Sequence, residues 1–546
     1  MQWRIKGLIF FFGALFLFLI FNVYSVQIQK GDYYLAKAKM QEEASGGFEA
    51  PRGSIYFLDK NNNSVQAAMN KDYPIVYAVP VEIQASGESI ASYAEKLSPI
   101  TGVSVEELKE KFAKESDKYE LIVEKAVSGQ TDEIKNLNLK GIYISSHLLR
   151  FYPFGDLAAH ILGFLDYSNG LAEGKYGLEL YFDDSLSGKS GGVEDGKLVS
   201  AESGKDLILT IDPNIQTEAE EIVKNLIKQY EAEAGSVIVQ EPKTGKILAM
   251  AAFPNFDPNN YSKSEISTFL NPTVQSLYEP GSVFKLITMA AGLDSGKITP
   301  DTTYTDTGFF TANGKTIKNW DLKANGLQTM TNVIEKSINT GAVYAQRKTG
   351  QDIFYNYLVK FGFGEKTQIS LPGEVKGNLN NLKTPNGGKD IDFATASYGQ
   401  GVAVTPIELA GAVSALANGG VLMKPIILSS DEPKVVRRVI SADTAKKVAQ
   451  MMVSAVKVNK IANIPNYSVA GKTGTAFVPD FGGKGYTDKV INTYAGFAPA
   501  SDPKFVIILR LDKPSGSPLA GQTVVPAFRE LAQFILNYYN VAPDEI

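Results

Sequence analysis

The chain has 546 residues, with hydrophobic side chains at 44%, charged side chains at 21%, 49 glycines and 25 prolines. These are ordinary globular values that exclude wholesale disorder, a collagen-like repeat and a polytopic membrane protein. A net charge of -5 and a pI near 5.5 leave no electrostatic footprint for a nucleic-acid binder. The chain contains no cysteine, which removes disulfides, thiolate nucleophiles, iron–sulfur clusters and cysteine-ligated zinc. Its only imidazoles are His147 and His160. A histidine-rich metal site is thereby disfavoured, and hydrolase or transferase chemistry must take its base from Lys, Asp, Glu or Tyr.

In chain order, the first predicted element is a membrane anchor. From Gly7 to Gln29 there is no charged side chain, and Leu8-Ile9-Phe10-Phe11-Phe12 and Leu15 to Phe21 are apolar runs. A helix of about 20 such residues crosses ~30 Å of hydrocarbon. Arg4 and Lys6 precede it, so the positive-inside tendency places residues 1–6 in the cytoplasm. A cleaved secretory signal is the alternative, but its apolar core is only ~7–15 residues long and ends in a small-x-small site. Asn22 to Val26 matches that site poorly. The expectation is an uncleaved single-pass helix at residues 7–28, with the bulk of the chain on the periplasmic or cell-wall side.

Residues 27–50 read as an amphipathic stalk. Short strands, turn clusters such as Asn61-Asn62-Asn63 and a polar helix around Ser104–Glu115 follow, and Gly188–Lys205 reads as a hairpin or linker. There is no repeat of 20–50 residues. We therefore divide the chain into a first folded domain at 29–205 and a second at 206–546.

The second domain opens with Leu207 to Ile211, and Asp212-Pro213 starts a helix whose apolar face is Ile215, Ala219, Ile222, Val223, Leu226 and Ile227. Ser236–Gln240 and Lys246–Met250 form a hairpin around Glu241–Gly245. Tyr467–Val478, Val490–Phe497 and Lys504–Leu511 read as further strands, helical patterns fill much of the interval before them, and Val524–Tyr539 is a closing helix. The fold class is α+β, with a central antiparallel sheet flanked by helices.

Three short motifs carry chemistry. In Tyr278-Glu279-Pro280-Gly281-Ser282-Val283-Phe284-Lys285, Ser282 sits near a helix start with Lys285 one turn later. A lysine can take a serine proton once burial or a second cation lowers its pKa, so acyl transfer can run without histidine. The spacing recurs at Ser454/Lys457 and Ser501/Lys504, which fit an amphipathic helix and a turn. Ser337-Ile338-Asn339 is the single Ser-x-Asn of the chain and breaks a helical pattern, as a plain turn would. Lys472-Thr473-Gly474-Thr475 interrupts a core strand, and glycine there permits close backbone approach. Lys-Thr-Gly also occurs at Lys243 and Lys348, in a hairpin turn and at a helix end.

Taken in this order, the motifs resemble the Ser-x-x-Lys, Ser-x-Asn and Lys-Thr-Gly set of penicillin-binding proteins and serine β-lactamases, with Ile338 where Asp often stands. Arg52-Gly53-Ser54-Ile55, Arg150-Phe151-Tyr152-Pro153 and Gly174 to Glu179 resemble the N-terminal pedestal (dimerisation-type domain) of class B, monofunctional penicillin-binding proteins. Tyr398-Gly399-Gln400-Gly401, Thr405-Pro406 and Ala417 to Gly420 resemble their transpeptidase domain.

The resemblance implies a membrane anchor, an elongated mixed pedestal and a D,D-transpeptidase that cross-links peptidoglycan stem peptides without metal or organic cofactor. It assigns Ser282 as nucleophile, Lys285 as general base, Ser337 as proton relay and Asn339 as the group orienting Lys285 and substrate. Lys472, Thr473, Gly474 and Thr475 would bind the terminal carboxylate, and the backbone N–H groups of Ser282 and Thr475 would form the oxyanion hole. β-Lactams would acylate the same serine. Tyr278–Ser282 and Tyr494–Pro499 look more like the division-specific than the side-wall branch. Implied partners are a polytopic membrane glycosyltransferase and small bitopic division proteins. A serine β-lactamase, which needs neither anchor nor pedestal, and a catalytically silent scaffold are the alternatives.

Overall fold

The computed structural model describes residues 2–24 and 50–545 apart from 115–116, 118, 168–171, 195–196, 384–387, 481 and 484. Gln2–Tyr24 is a 23-residue helix, α1, whose side chains from Phe10 to Phe21 are exposed. Among the described residues no helix is long and apolar enough to cross a membrane, side chains along α1 being described without a break only over 10–21. The end of the expected anchor at 25–28 and, but for Ala50, the expected stalk at 27–50 lie outside the described residues.

The rest forms two units. The first comprises residues 68–153 and 184–206 with the chain up to Ser54; the second comprises 55–67, 154–183 and 207–546. In the first, residues 69–78 of β1 (Ser64–Ala78) pair antiparallel with a strand at Ile142–Phe151, and Val76 to Ala78 also pair with another at Glu120–Val123. Helices α2 (Ile90–Thr101) and α3 (Val105–Phe112) cover it, each started by a serine whose hydroxyl accepts a backbone N–H in the first turn. Tyr93, Leu97, Leu108 and Phe112 are their buried faces, packed on Val76 and Ala78. The two arginine motifs meet here: Arg150 donates to the Gly53 carbonyl at 2.8 Å, and Arg52 to the Ser187 hydroxyl at 2.9 Å.

The second unit is built on a five-stranded sheet. It contains β2 (Ala234–Gln240), β3 (Ile247–Phe253), β4 (Ala470–Pro479), β5 (Tyr486–Ala498) and β6 (Phe505–Asp512), in the order β3-β2-β6-β5-β4. Every neighbouring pair is antiparallel. Two of the three inner strands, β2 and β6, are buried on both pleats, which is why Ser236–Val239 and Phe505–Leu511 read as nearly continuous apolar runs. One face is covered by α4 (Pro213–Tyr230), capped by Asp212, and by the closing helix Val524–Tyr538. Ile215, Val223, Phe528, Leu531 and Ile535 are fully buried there against Val237 and Val239, each contributing roughly 1.5–3 kcal/mol. On the opposite pleat Gln240 accepts the Ser414 hydroxyl of the Pro406–Ala417 helix at 2.9 Å.

The interval expected to be largely helical holds a β excursion. Thr303–Asp306 pairs with Gly326–Thr329, and Phe309–Ala312 pairs with Lys315–Lys318. The inner hairpin turns at Asn313-Gly314, both residues at positive φ (47° and 72°), as the favoured two-residue turn requires. Helix returns with α5 (Met330–Glu335), α6 (Asn339–Thr349) and α7 (Ala442–Asn459).

Candidate active site

Ser282 lies in a 3-10 turn, Gly281–Phe284, that runs directly into a helix beginning at Lys285. The turn is laced to a second segment. Tyr278 and Val404 exchange backbone hydrogen bonds of 3.0 and 2.9 Å, and the Gly281 N–H donates to the Gly399 carbonyl at 3.1 Å. Glu279, whose carboxyl is held above the usual range by burial, accepts from the Gly401 N–H at 2.9 Å and the Tyr486 hydroxyl at 3.2 Å. The Arg510 guanidinium lies 4.3 Å from the Tyr278 ring centroid and is itself paired with Asp512.

Gly399 allows this contact. Its φ is +80°, and a Cβ there would sit 2.2 Å from the Gly281 carbonyl oxygen. We expect Gly399→Ala to cost about 2–4 kcal/mol from the left-handed backbone and the overlap together. It should show as a lowered denaturant midpoint with slowed acylation of Ser282; an unchanged midpoint would refute this account of the turn.

Lys285 is fully buried, with Nζ 2.5 Å from the Ser337 carbonyl oxygen, 2.8 Å from Asn339 Oδ1 and 3.2 Å from Ser337 Oγ. Ser337 joins α5 to α6 at φ +57°, an unusual conformation for a non-glycine residue that turns its carbonyl and hydroxyl to the same side. Asn339 opens α6 and donates through Nδ2 to the Lys318 carbonyl at 2.9 Å, so its amide presents oxygen to Lys285. Lys472, also buried, projects from the edge strand β4 and donates to Ser337 Oγ at 2.8 Å.

Two ammonium groups sharing one hydroxyl in a dry pocket cannot both stay charged cheaply. Burial, then the neighbouring Lys472, drives the Lys285 pKa well below the ordinary lysine value. Burial pulls Lys472 down to about 7. A neutral Lys285 has two N–H bonds and one lone pair. With the N–H bonds spent on the Ser337 carbonyl and Asn339 Oδ1, the lone pair is left to accept a proton.

Thr473, Gly474 and Thr475 continue along β4. The close approach that Gly474 permits is that of the protein itself, since a Cβ there would lie 2.7 Å from the Pro280 carbonyl. The edge strand is thereby pressed onto the Ser282 turn. The Thr475 hydroxyl is within 3.2 Å of Asn492 Oδ1 and accepts from the Ala520 N–H at 3.2 Å. Asn492 is buried and donates to the Pro518 carbonyl and the Thr523 hydroxyl.

The structure thus joins Lys285, Ser337, Asn339 and Lys472 by direct hydrogen bonds, with Ser282 one turn before Lys285 and Thr473–Thr475 following Lys472. Sequence reasoning missed Glu279, Asn492 and the Lys318 carbonyl. The polar Asn492 within an apolar strand was an available signal; a backbone carbonyl leaves none. The other copies of the motifs have structural partners: the Ser454 hydroxyl donates to Glu335, Lys457 pairs with Glu545, and Lys243 and Lys504 both pair with Asp502. Among the described residues no group of three or more His, Asp or Glu is placed to hold a metal ion.

Two family models match: the penicillin binding protein transpeptidase domain over residues 235–533 and the penicillin-binding protein dimerisation domain over residues 48–202. Stage V sporulation protein D of Bacillus subtilis is 34% identical over 554 residues, covering 95% of this chain and 83% of that protein. Peptidoglycan D,D-transpeptidase FtsI of Buchnera aphidicola is 30% identical over 430 residues, covering 76% of this chain and 74% of its own. The crystal structure of penicillin binding protein 3 of Mycobacterium tuberculosis complexed with aztreonam superposes with a TM-score of 0.70 at 28% identity, over 91% of this chain and 97% of that one.

Proposed function

The chain belongs to the class B penicillin-binding proteins, and on that premise we propose that it cross-links peptidoglycan stem peptides as a serine D,D-transpeptidase. The observation that carries the reading is the buried Lys285 amine, held by the Ser337 carbonyl and Asn339 Oδ1, with Lys472 donating to the Ser337 hydroxyl beside it.

In the proposed mechanism Ser282 Oγ attacks the carbonyl carbon of the penultimate D-Ala as Lys285 takes its proton. The oxyanion develops against the backbone N–H groups of Ser282 and Thr475, where each donor is worth about 3–4 kcal/mol. The C–N bond then breaks, and the departing D-Ala amine takes a proton through Ser337. Lys472 and Thr473 hold the donor's terminal carboxylate, while the Thr475 hydroxyl, engaged by Asn492 and Ala520, positions the strand. An amine of a neighbouring stem peptide attacks the acyl-enzyme and regenerates Ser282. β-Lactams acylate the same serine and persist because the opened ring stays in the site.

Intact-protein mass spectrometry with a penicillin tests this. The expected result is one persistent adduct per chain, on the peptide containing Ser282. Hydrolysed antibiotic without an adduct would indicate a β-lactamase; intact antibiotic without an adduct would leave the scaffold reading.

The uncharged stretch from Gly7 to Gln29 behind Arg4 and Lys6 supports a single-pass anchor in the cytoplasmic membrane, with the enzyme outside. The full chain should stay in the membrane pellet through an alkaline carbonate wash, and release into the supernatant would overturn the anchor. The FtsI relative and the Tyr278–Ser282 and Tyr494–Pro499 stretches support the division-specific branch, with a polytopic glycosyltransferase and bitopic division proteins as partners. The likeness to a stage V sporulation protein favours a second assignment, wall synthesis during sporulation. Localisation of a fluorescent fusion in dividing and sporulating cells separates the two.

A further inference from the structure

Resting on the transpeptidase reading, we propose that Asp306, distant in sequence from all three motifs, is a positioning residue for acylation that sets the orientation of the Asn339 amide. Asp306 is buried at the end of the first excursion strand, and its carboxylate collects five hydrogen bonds. Oδ1 accepts from the Thr340 hydroxyl at 2.6 Å and the Gly308 N–H at 2.9 Å. Oδ2 accepts from Asn319 Nδ2 at 2.8 Å, the Asn325 N–H at 2.9 Å and Asn325 Nδ2 at 2.7 Å. Burial alone would raise its pKa, but these donors outweigh burial and hold it below the ordinary carboxylate range. It is therefore an acceptor at any pH where a lysine base works.

The network has a direction. Thr340 follows Asn339, and Asn319 follows Lys318, whose carbonyl receives the Asn339 amide N–H. Asn319 Oδ1 in turn accepts from the Thr340 N–H at 3.2 Å. Asp306 thus clamps residues 318–319 of the excursion onto residues 339–340 of α6. With the Lys318 carbonyl held in place, Asn339 Nδ2 has one partner and Oδ1 faces Lys285. Released, the amide can flip and turn N–H bonds towards an amine that needs an acceptor. Asp306 touches neither Ser282 nor Lys285, so its effect runs through Asn339.

The test is the pH dependence of penicillin acylation in wild type, Asp306→Asn and Thr340→Val, each on the full chain and restricted to folded protein by its circular dichroism. Asp306→Asn puts N–H bonds against groups that already donate. Thr340→Val keeps the shape of the side chain and removes one strut. Among the described residues the charged group acting on Lys285 is Lys472, which neither substitution touches. We expect the plateau acylation rate to fall about tenfold in Asp306→Asn and less in Thr340→Val, in line with the cost of small misplacements at reacting groups. The acid limb should also move to lower pH, because the Lys285 ammonium loses an acceptor. A merely structural role would lower the reactive fraction and leave the limb in place. Folded variants with the wild-type rate and limb, or a lowered plateau with an unmoved limb, overturn the proposal. Failure of the wild type itself to acylate would instead overturn the transpeptidase reading, and this inference with it.

Discussion

Ser282→Ala is expected to yield a folded chain that gains no mass from penicillin and forms no cross-links. The turn around Ser282 is held by backbone bonds of Tyr278 and Gly281 and by the Glu279 carboxylate, none of which involves the serine hydroxyl. Its removal should therefore change stability by no more than about 0.5 kcal/mol. The chemical loss is complete for the covalent route, since no other side chain sits one turn before Lys285. Intact mass after incubation with a penicillin and thermal unfolding of the same sample check both halves. An adduct on Ser282→Ala would place the nucleophile elsewhere.

Lys285→Met keeps the proposed nucleophile and the approximate volume but removes the proposed base, and should slow acylation about 10²–10⁴-fold, the usual weight of positioned acid–base catalysis. The wild-type rate should rise with pH as Lys285 loses its proton, with an inflection well below the ordinary lysine value; the variant should lack that limb. Stability carries a second signature. Lys472 has a folded pKa of about 7 against an ordinary 10.5, and that of Lys285 is lowered in the same direction. Between those pH values the unfolded chain binds more protons than the folded one, so this contribution to stability increases with pH. Urea midpoints at pH 7 and 9 should therefore climb less in Lys285→Met than in the wild type. A variant that acylates at the wild-type rate would remove Lys285 from the base role.

Within the candidate site, legibility followed distance along the chain. Ser282 and Lys285 lie within one turn, so their proximity is a property of local geometry, and Ser337 and Asn339 flank a break that polar residues announce. The α4 helix with its Asp212 cap, the hairpin of β2 and β3 and the three C-terminal strands were read from periodicity and turn chemistry. The excursion at 303–329 was not, because its strands are only four residues long and too short for a pattern; the Asn313-Gly314 turn was their one clear sign.

The linear chain by itself narrowed the chemistry available: with no cysteine and two histidines the base must come from Lys, Asp, Glu or Tyr, and three spaced motifs name the lysine candidates. Tertiary structure decided which lysines are buried with lowered pKa values and which are surface cations. Lys285 and Lys472 come from segments nearly 200 residues apart and meet at Ser337 only because the edge strand β4 lies against the α5–α6 turn. Their lowered pKa values come from that burial and that proximity. Lys457 and Lys504, in the same local spacing, remain exposed and paired with carboxylates. Desolvation and Coulomb repulsion depend on what surrounds a charge in space, and a side chain's nearest neighbours in sequence supply only a small part of those surroundings.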